Sequence, residues 1–168
     1  ISEAYKELGD EDKALEYNQQ YMDKNPNAAP TDFMKLAEIY VNKAKKDPAK
    51  KIENIDKAIG VYAKLSEKYP TLKTFAKLQE GNTAFQNELD DKAIAAYTEV
   101  INELEAKQCD EDELSYLKTS YQYMGFIYTY DKQDFNTAKP YWDKLLKLDP
   151  QNKLANDAYE KAGLKPGE

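Results

Sequence analysis

KAIAAYTEVINELE, residues 92–105, has three counterparts in the chain: KALEYNQQYMDKNP at 13–26, KAIGVYAKLSEKYP at 57–70 and AKPYWDKLLKLDP at 138–150. Aligned on Ala14, Ala58, Ala93 and Ala138, they carry Asn18, Tyr62, Tyr97 and Trp142 four positions later. Twelve positions later stand Pro26, Pro70 and Pro150, with Glu105 in the remaining copy. The alanines are 44, 35 and 45 residues apart. Self-similarity at such a period marks stacked helical hairpins, each too small to bury its apolar face alone.

The residue types follow from packing. Helix axes in such a stack approach to roughly 8–10 Å, so the crossing points need small side chains while large rings fill the space beside them. Gly81 and Gly125 fall within helical stretches, where glycine costs about 1 kcal/mol relative to alanine. Close helix contact is the expected compensation.

Working outward, residues 1–8 read as the end of a first helix, with Gly9 as its stop and Asp10 capping a second that runs to about Lys24. Thr31 is the expected cap of a third, with Phe33, Leu36, Ala37, Tyr40 and Ala44 on one face. Pro48 opens a helix over 48–69 whose expected stripe is Ile52, Ile55, Ile59, Tyr62 and Leu65. Further helices are expected over 71–86, 90–107, 112–130, 135–148 and 152–162. Pro140 predicts a kink about one and a half turns into its helix. The two long spacings exceed the third by about 10 residues, and the surplus falls in AKKDPAKKIEN (44–54) and KQCDEDELSYL (107–117). Both read as lengthened helices rather than loops.

Composition narrows the chemistry. A 41% hydrophobic and 12% aromatic content is enough for a core, and the charged residues, 33% of the chain, have their signs interspersed, as on solvated helix faces. With a net charge of −7 and 24 basic residues that are all lysine, the chain lacks the guanidinium fork used for bidentate guanine and phosphate contacts, which argues against sequence-specific nucleic-acid binding. No histidine is present, which removes the usual general base and the Ser/His and Cys/His nucleophile pairs. The single cysteine, Cys109, has no internal disulfide partner and sits in QCDEDE, where carboxylates raise a thiol's pKa. Asp110, Glu111, Asp112 and Glu113 lack the alternating ligands and central glycine of a calcium loop and read as an acidic helix start. No glycine-rich phosphate loop is seen. No catalytic residue, cofactor or metal is therefore expected, and the chain reads as non-enzymatic. No apolar run approaches the roughly 20 residues of a membrane span. The opening residues read as the inside of a repeat, so the chain is expected to be a fragment, soluble, cytoplasmic or periplasmic, with any targeting region upstream.

The four phrases resemble tetratricopeptide repeats, whose 34-residue unit is a pair of antiparallel helices. The third copy is clearest, through Gly81, Asn82, Ala84, Phe85, Ala93, Ile94, Tyr97 and Val100. The fourth supplies Gly125, Tyr128, Phe135, Ala138, Trp142, Leu145 and Pro150. The second supplies Leu36, Ala37, Tyr40, Ala58, Tyr62 and Pro70, and the first Tyr5, Gly9, Ala14, Leu15, Tyr21 and Pro26. The resemblance implies an all-α, right-handed α-solenoid over 1–150. Its parts are a partial repeat at 1–28, an extended one at 29–72, a third at 73–107 and an extended fourth at 108–150. A capping helix and tail would follow at 151–168.

It further implies a concave groove for a peptide or partner protein, lined by Met34, Glu38, Val41, Leu78, Asn82, Phe85, Gln86, Gln122, Phe126 and Tyr130. The alternative is that Phe85, Phe126 and Tyr130 pack between helices and that the segment is a structural spacer whose groove its own chain fills. Tyr116, Tyr121, Tyr123, Tyr128 and Tyr130 crowd one helix, so some are expected to face outward. The co-chaperone subgroup that clamps a terminal carboxylate is not matched, because Leu78 replaces a clamp lysine and Thr119 and Tyr123 stand near other basic positions. The lysine-rich, arginine-free, tyrosine-rich style suggests a bacterial repeat protein.

Overall fold

The computed structural model describes residues 11–167, and these are helical with no strand among them. Eight α-helices are present: α1 (Glu11–Lys24), α2 (Pro30–Lys46), α3 (Lys51–Lys68), α4 (Lys73–Phe85), α5 (Asp90–Glu105), α6 (Glu111–Phe126), α7 (Phe135–Leu148) and α8 (Lys153–Lys161). The expected helix over 1–8, its Gly9 stop and the Asp10 cap lie outside the described residues. The chain divides into two compact units, Ile1–Asn87 and Glu88–Glu168.

In the first unit α2 is the best-formed amphipathic helix, with Phe33, Leu36, Ala37, Tyr40 and Ala44 all buried, the face read from the sequence. Its start differs from expectation. Ala29, not Thr31, occupies the cap position, because Pro30 suits the first turn and the Asp32 carboxylate reaches back to accept from the Ala29 N–H at 2.8 Å. A 3₁₀ turn, Pro48–Lys50, leads into α3. The first sequence surplus is therefore two helices of 17 and 18 residues with a tight turn between them.

The pairing of α2 and α3 is antiparallel. The Tyr69 hydroxyl, just past α3, donates to the Ala28 carbonyl before α2 at 2.7 Å, and the Lys68 ammonium donates to the Asn25 carbonyl at 3.0 Å. Phe33 meets Tyr69 edge to face at 6.3 Å. The buried arc of α3 is rotated from the expected stripe: Ile55, Ala58, Val61, Tyr62 and Leu65 are buried with Asn54, whereas Ile52 is 60% exposed. Steps of three and four from Ile52 follow one edge of the apolar sector, and the small Ala58 shifts the contact line towards Val61.

In the second unit α5 buries Ala93, Ala96, Tyr97, Val100, Ile101 and Leu104. Asp110 and Glu113 cap α6 reciprocally, Asp110 accepting from the Glu113 N–H at 2.9 Å and Glu113 from the Asp110 N–H at 3.2 Å. That pair defines the helix start within the acidic run, and residues 106–110 form a connection rather than a lengthened helix. At its far end α6 passes into a π-helical segment, Ile127–Asp131, in which the Lys132 N–H donates to the Ile127 carbonyl five residues back at 2.9 Å. The turn to α7 uses Gln133 at φ 55°, a left-handed position.

Helix α7 packs against α6 through one close contact. A Cβ built on Gly125 would lie 2.5–2.9 Å from the ring carbons Cε2, Cδ2 and Cε3 of Trp142. The compensation expected for this glycine is thus an indole laid on bare backbone. Trp142 is fully buried, and its Nε1–H donates to Thr129 Oγ1 at 2.8 Å. Pro140 lies inside α7, which runs on to Leu148. Helix α8 packs with Ala155, Ala158 and Tyr159 buried, and Tyr159 meets Phe135 edge to face at 5.4 Å. All four phase alanines are sealed: Ala14 is 1% exposed, and Ala58, Ala93 and Ala138 are 0% exposed.

Candidate interaction surface

The ten residues that the resemblance assigns to a groove fall in both units. On α2, Met34, Glu38 and Val41 recur at four and three residues, off the buried face: Met34 and Glu38 are exposed and Val41 is half-buried. Tyr62, buried in α3, lies near Glu38. Burial pushes its hydroxyl's pKa up, a hydrogen bond with Thr83 works against this, and the Glu38 charge adds to it. That bond also ties α3 to α4.

On α4, Asn82 and Phe85 are half-buried and Gln86, just past its end, is exposed, but Leu78, expected on the groove, is only 5% exposed. A leucine one turn before Asn82 gains more from packing than from display, and the same burial makes the site unlike a clamp lysine. Sequence reasoning overlooked Glu80, a buried carboxylate on α4 that pairs with Lys77 at 2.8 Å. The i, i+3 spacing of Lys77 and Glu80 was the available signal.

In the second unit Gln122, Phe126 and Tyr130 form a stripe along α6 and the π segment, each half-buried. Phe126 and Tyr130 have ring centroids 4.8 Å apart, tilted at 44°. Two of the three meet α8 or the residue that caps it: Asn152, the cap, donates its Nδ2–H to Gln122 Oε1 at 3.4 Å, and the Lys161 ammonium stands 4.5 Å from the Tyr130 ring centroid. Both chains of residues ascend together, so α8 runs beside α6 in the same direction. Burial raises the pKa of the Tyr130 hydroxyl, with the charge of Asp157 adding to it.

None of the five crowded tyrosines is exposed; Tyr121 is buried and the other four are half-buried. Other rings and polar partners cover them. Tyr123 stacks on Tyr97 at 5.6 Å and Tyr128 on Tyr141 at 6.1 Å. The Tyr121 hydroxyl donates to Glu105 Oε1 at 2.6 Å, and Lys144 bonds the same oxygen at 2.6 Å while standing 5.7 Å from the Tyr121 ring. Burial alone would raise the Glu105 carboxyl, but the bonds from Lys144 and Tyr121 hold it below its ordinary value. Tyr159 likewise donates to Asp143. The sequence shows these tyrosines but not the carboxylates that anchor them, which come from other helices.

The arrangement can stack, hydrogen-bond and present apolar anchors. Cys109 is half-buried with its thiol directed at the Leu104 carbonyl 3.3 Å away, and its pKa is raised first by burial and then by Glu113, with Lys107 opposing. Among the described residues no group of three or more His, Cys, Asp or Glu is placed to hold a metal ion. No helix among them is long and apolar enough to cross a membrane. No protein-family model matches the chain, and no curated protein matches it either.

Proposed function

We propose that the chain is a non-catalytic protein-interaction module of tetratricopeptide type, a right-handed α-solenoid that takes a peptide or partner protein through surface residues that include Met34, Glu38, Asn82, Phe85 and Gln86 in the first unit and Phe126 in the second. The observation that carries this reading is the burial of Ala14, Ala58, Ala93 and Ala138 at 0–1% exposure, which fits one small residue at each equivalent helix crossing. The parallel course of α6 and α8 also fits, since first helices of successive repeats lie side by side in such stacks. Nucleic acid is disfavoured by the net charge of −7 and the absence of arginine.

The test is affinity capture from source-cell lysate with the intact chain as bait, beside a variant carrying Asn82→Ala, Phe85→Ala and Phe126→Ala whose helicity matches by circular dichroism. Partners retained by the parent and lost by the variant support the reading. Identical captures, or none, remove it.

The contacts of Asn152 with Gln122 and of Lys161 with Tyr130 favour a second reading, a spacer in which the chain's own α8 occupies part of the face. Under that reading a variant with Asn152→Ala and Lys161→Ala captures more protein than the parent. Under the first it captures no more.

A further inference from the structure

A separate cleft opens in the first unit among α1, α2 and α3, on a different face from the residues above. Its volume is about 140 Å³, and it is lined by Met22, Phe33, Leu36 and Val61 with Gly60, Lys57 and Lys64 at its edge. Tyr40 closes one end by donating to Gln19 Oε1 at 3.0 Å. Lys57, Gly60 and Lys64 follow at three and four residues along α3, so the two ammonium groups flank the glycine on one helix face. Among the described residues that line the cleft none is a carboxylate. Lys57 pairs with Glu53 at 2.5 Å on the open surface, one turn away.

Gly60 is the informative residue. It is exposed inside an 18-residue helix, where glycine costs about 1 kcal/mol relative to alanine. At Gly125 an indole accounts for the missing side chain, but at Gly60 nothing lies within 4 Å of the Cβ position. Packing against the described residues therefore does not require a glycine here, and the missing side chain leaves the helix backbone open to the close approach of an incoming group. An apolar cavity of about 150 Å³ accepts a benzene-sized guest. This cleft thus holds one phenyl or isobutyl group, too little for a fatty acyl chain, and whatever carries that group continues outside along the lysines.

We propose that the cleft docks an acidic segment of a partner protein, which inserts one phenylalanine- or leucine-sized side chain over Gly60 and sets flanking carboxylates against Lys57 and Lys64. The site does not depend on the groove reading above.

The test is amide NMR titration of the ¹⁵N-labelled chain with acetyl-DEFED-amide, with acetyl-DEAED-amide and acetyl-KKFKK-amide as controls. Saturable shifts at Gly60, Val61 and Lys64 are expected with the first peptide, with affinity weaker by about tenfold or more for the alanine peptide and no saturation for the lysine one. Gly60→Leu fills the mouth and abolishes the shifts at Val61 and Lys64 while the spectrum stays dispersed, and Gly60→Ala serves as a folding control with a raised Tm. A Lys57→Glu, Lys64→Glu variant tests the charge independently by inverting the preference between the DEFED and KKFKK peptides. The proposal is overturned by an unmoved Gly60 at millimolar DEFED peptide, by equal binding of the KKFKK peptide, or by an uninverted preference in the charge-swapped variant. Gly60 shifts that depend on protein concentration without peptide also overturn it, because a second copy is then the occupant.

Discussion

Gly125 is the residue on which the second unit turns, because the indole of Trp142 lies where any other side chain would begin. A methyl group there meets ring carbons at 2.5–2.9 Å, and Trp142 is fully buried, its indole N–H held by Thr129, so the ring must shift against its neighbours. Overpacking of this kind costs about 1–3 kcal/mol, against which alanine's helix propensity returns about 1. Gly125→Ala is expected to lower the urea midpoint with an unchanged slope, and an unaltered midpoint would contradict the packing. Asn54 makes the opposite case. Its side chain is 2% exposed in α3, and its Nδ2 has no hydrogen-bond partner. An unsatisfied buried amide is costly, so Asn54→Leu should raise the first unit's stability by about 1 kcal/mol, read from that unit's own urea transition. The phase alanines and the glycine beside an aromatic were legible because size at a crossing is written directly in residue type. Asn54 and Glu80 were not, since spacing shows which residues share a face but not how far a neighbour covers it.

At the scale of elements, the start of α7 rests on Asp134, which accepts from the Thr137 N–H at 3.1 Å and from its hydroxyl at 2.6 Å. The Thr137 hydroxyl first, and its N–H second, hold the Asp134 carboxyl below its ordinary value of 3.8. A carboxyl whose folded pKa is depressed contributes stability above its unfolded pKa and loses it as pH falls through the folded one. Asp134→Ala is therefore expected to lower Tm at pH 7 and to approach the parent as pH drops below about 3.8, the value at which the unfolded carboxyl is half protonated, and on through the lower folded value. A gap between the two melting curves that stays constant down to pH 2 would refute the role. Helix α7 itself was read at its observed bounds, 135–148, because Asp134 and Pro150 bracket it. The π segment after α6 was read as plain helix, since five-residue bonding changes the backbone register without a distinctive side-chain pattern. The sequence points to Thr31 as the cap because a hydroxyl advertises itself there, while a carboxylate reaching back from Asp32 to Ala29 does not.

At the scale of the molecule, the break between Asn87 and Glu88 separates two units, each with its own buried set. Glu88 takes φ 64°, so the joint itself is a left-handed residue that is not glycine. Helical arrays whose parts contact mainly their neighbours unfold in pieces. Gly125→Ala should accordingly speed native-state amide exchange across residues 90–161 and leave the amides of α2 and α3 as in the parent. Equal acceleration in both units would mean one cooperative body. The periodic phrases and their breakers place the eight helices of the described residues, but not this division, which falls within the third copy. The ten surface positions were only partly legible for a related reason: helical phase names the outward stripe, while the covering of Gln122 and Tyr130 depends on Asn152 and Lys161, much later in the chain.

Trp142 is the only tryptophan in the sequence, and it is sealed between Gly125 and Thr129. The chain therefore carries a built-in optical reporter confined to one of its halves. Its blue-shifted emission should redden when the α6 and α7 hairpin opens and stay unchanged while the first unit alone comes apart, so a single wavelength records the fate of the second unit without any label.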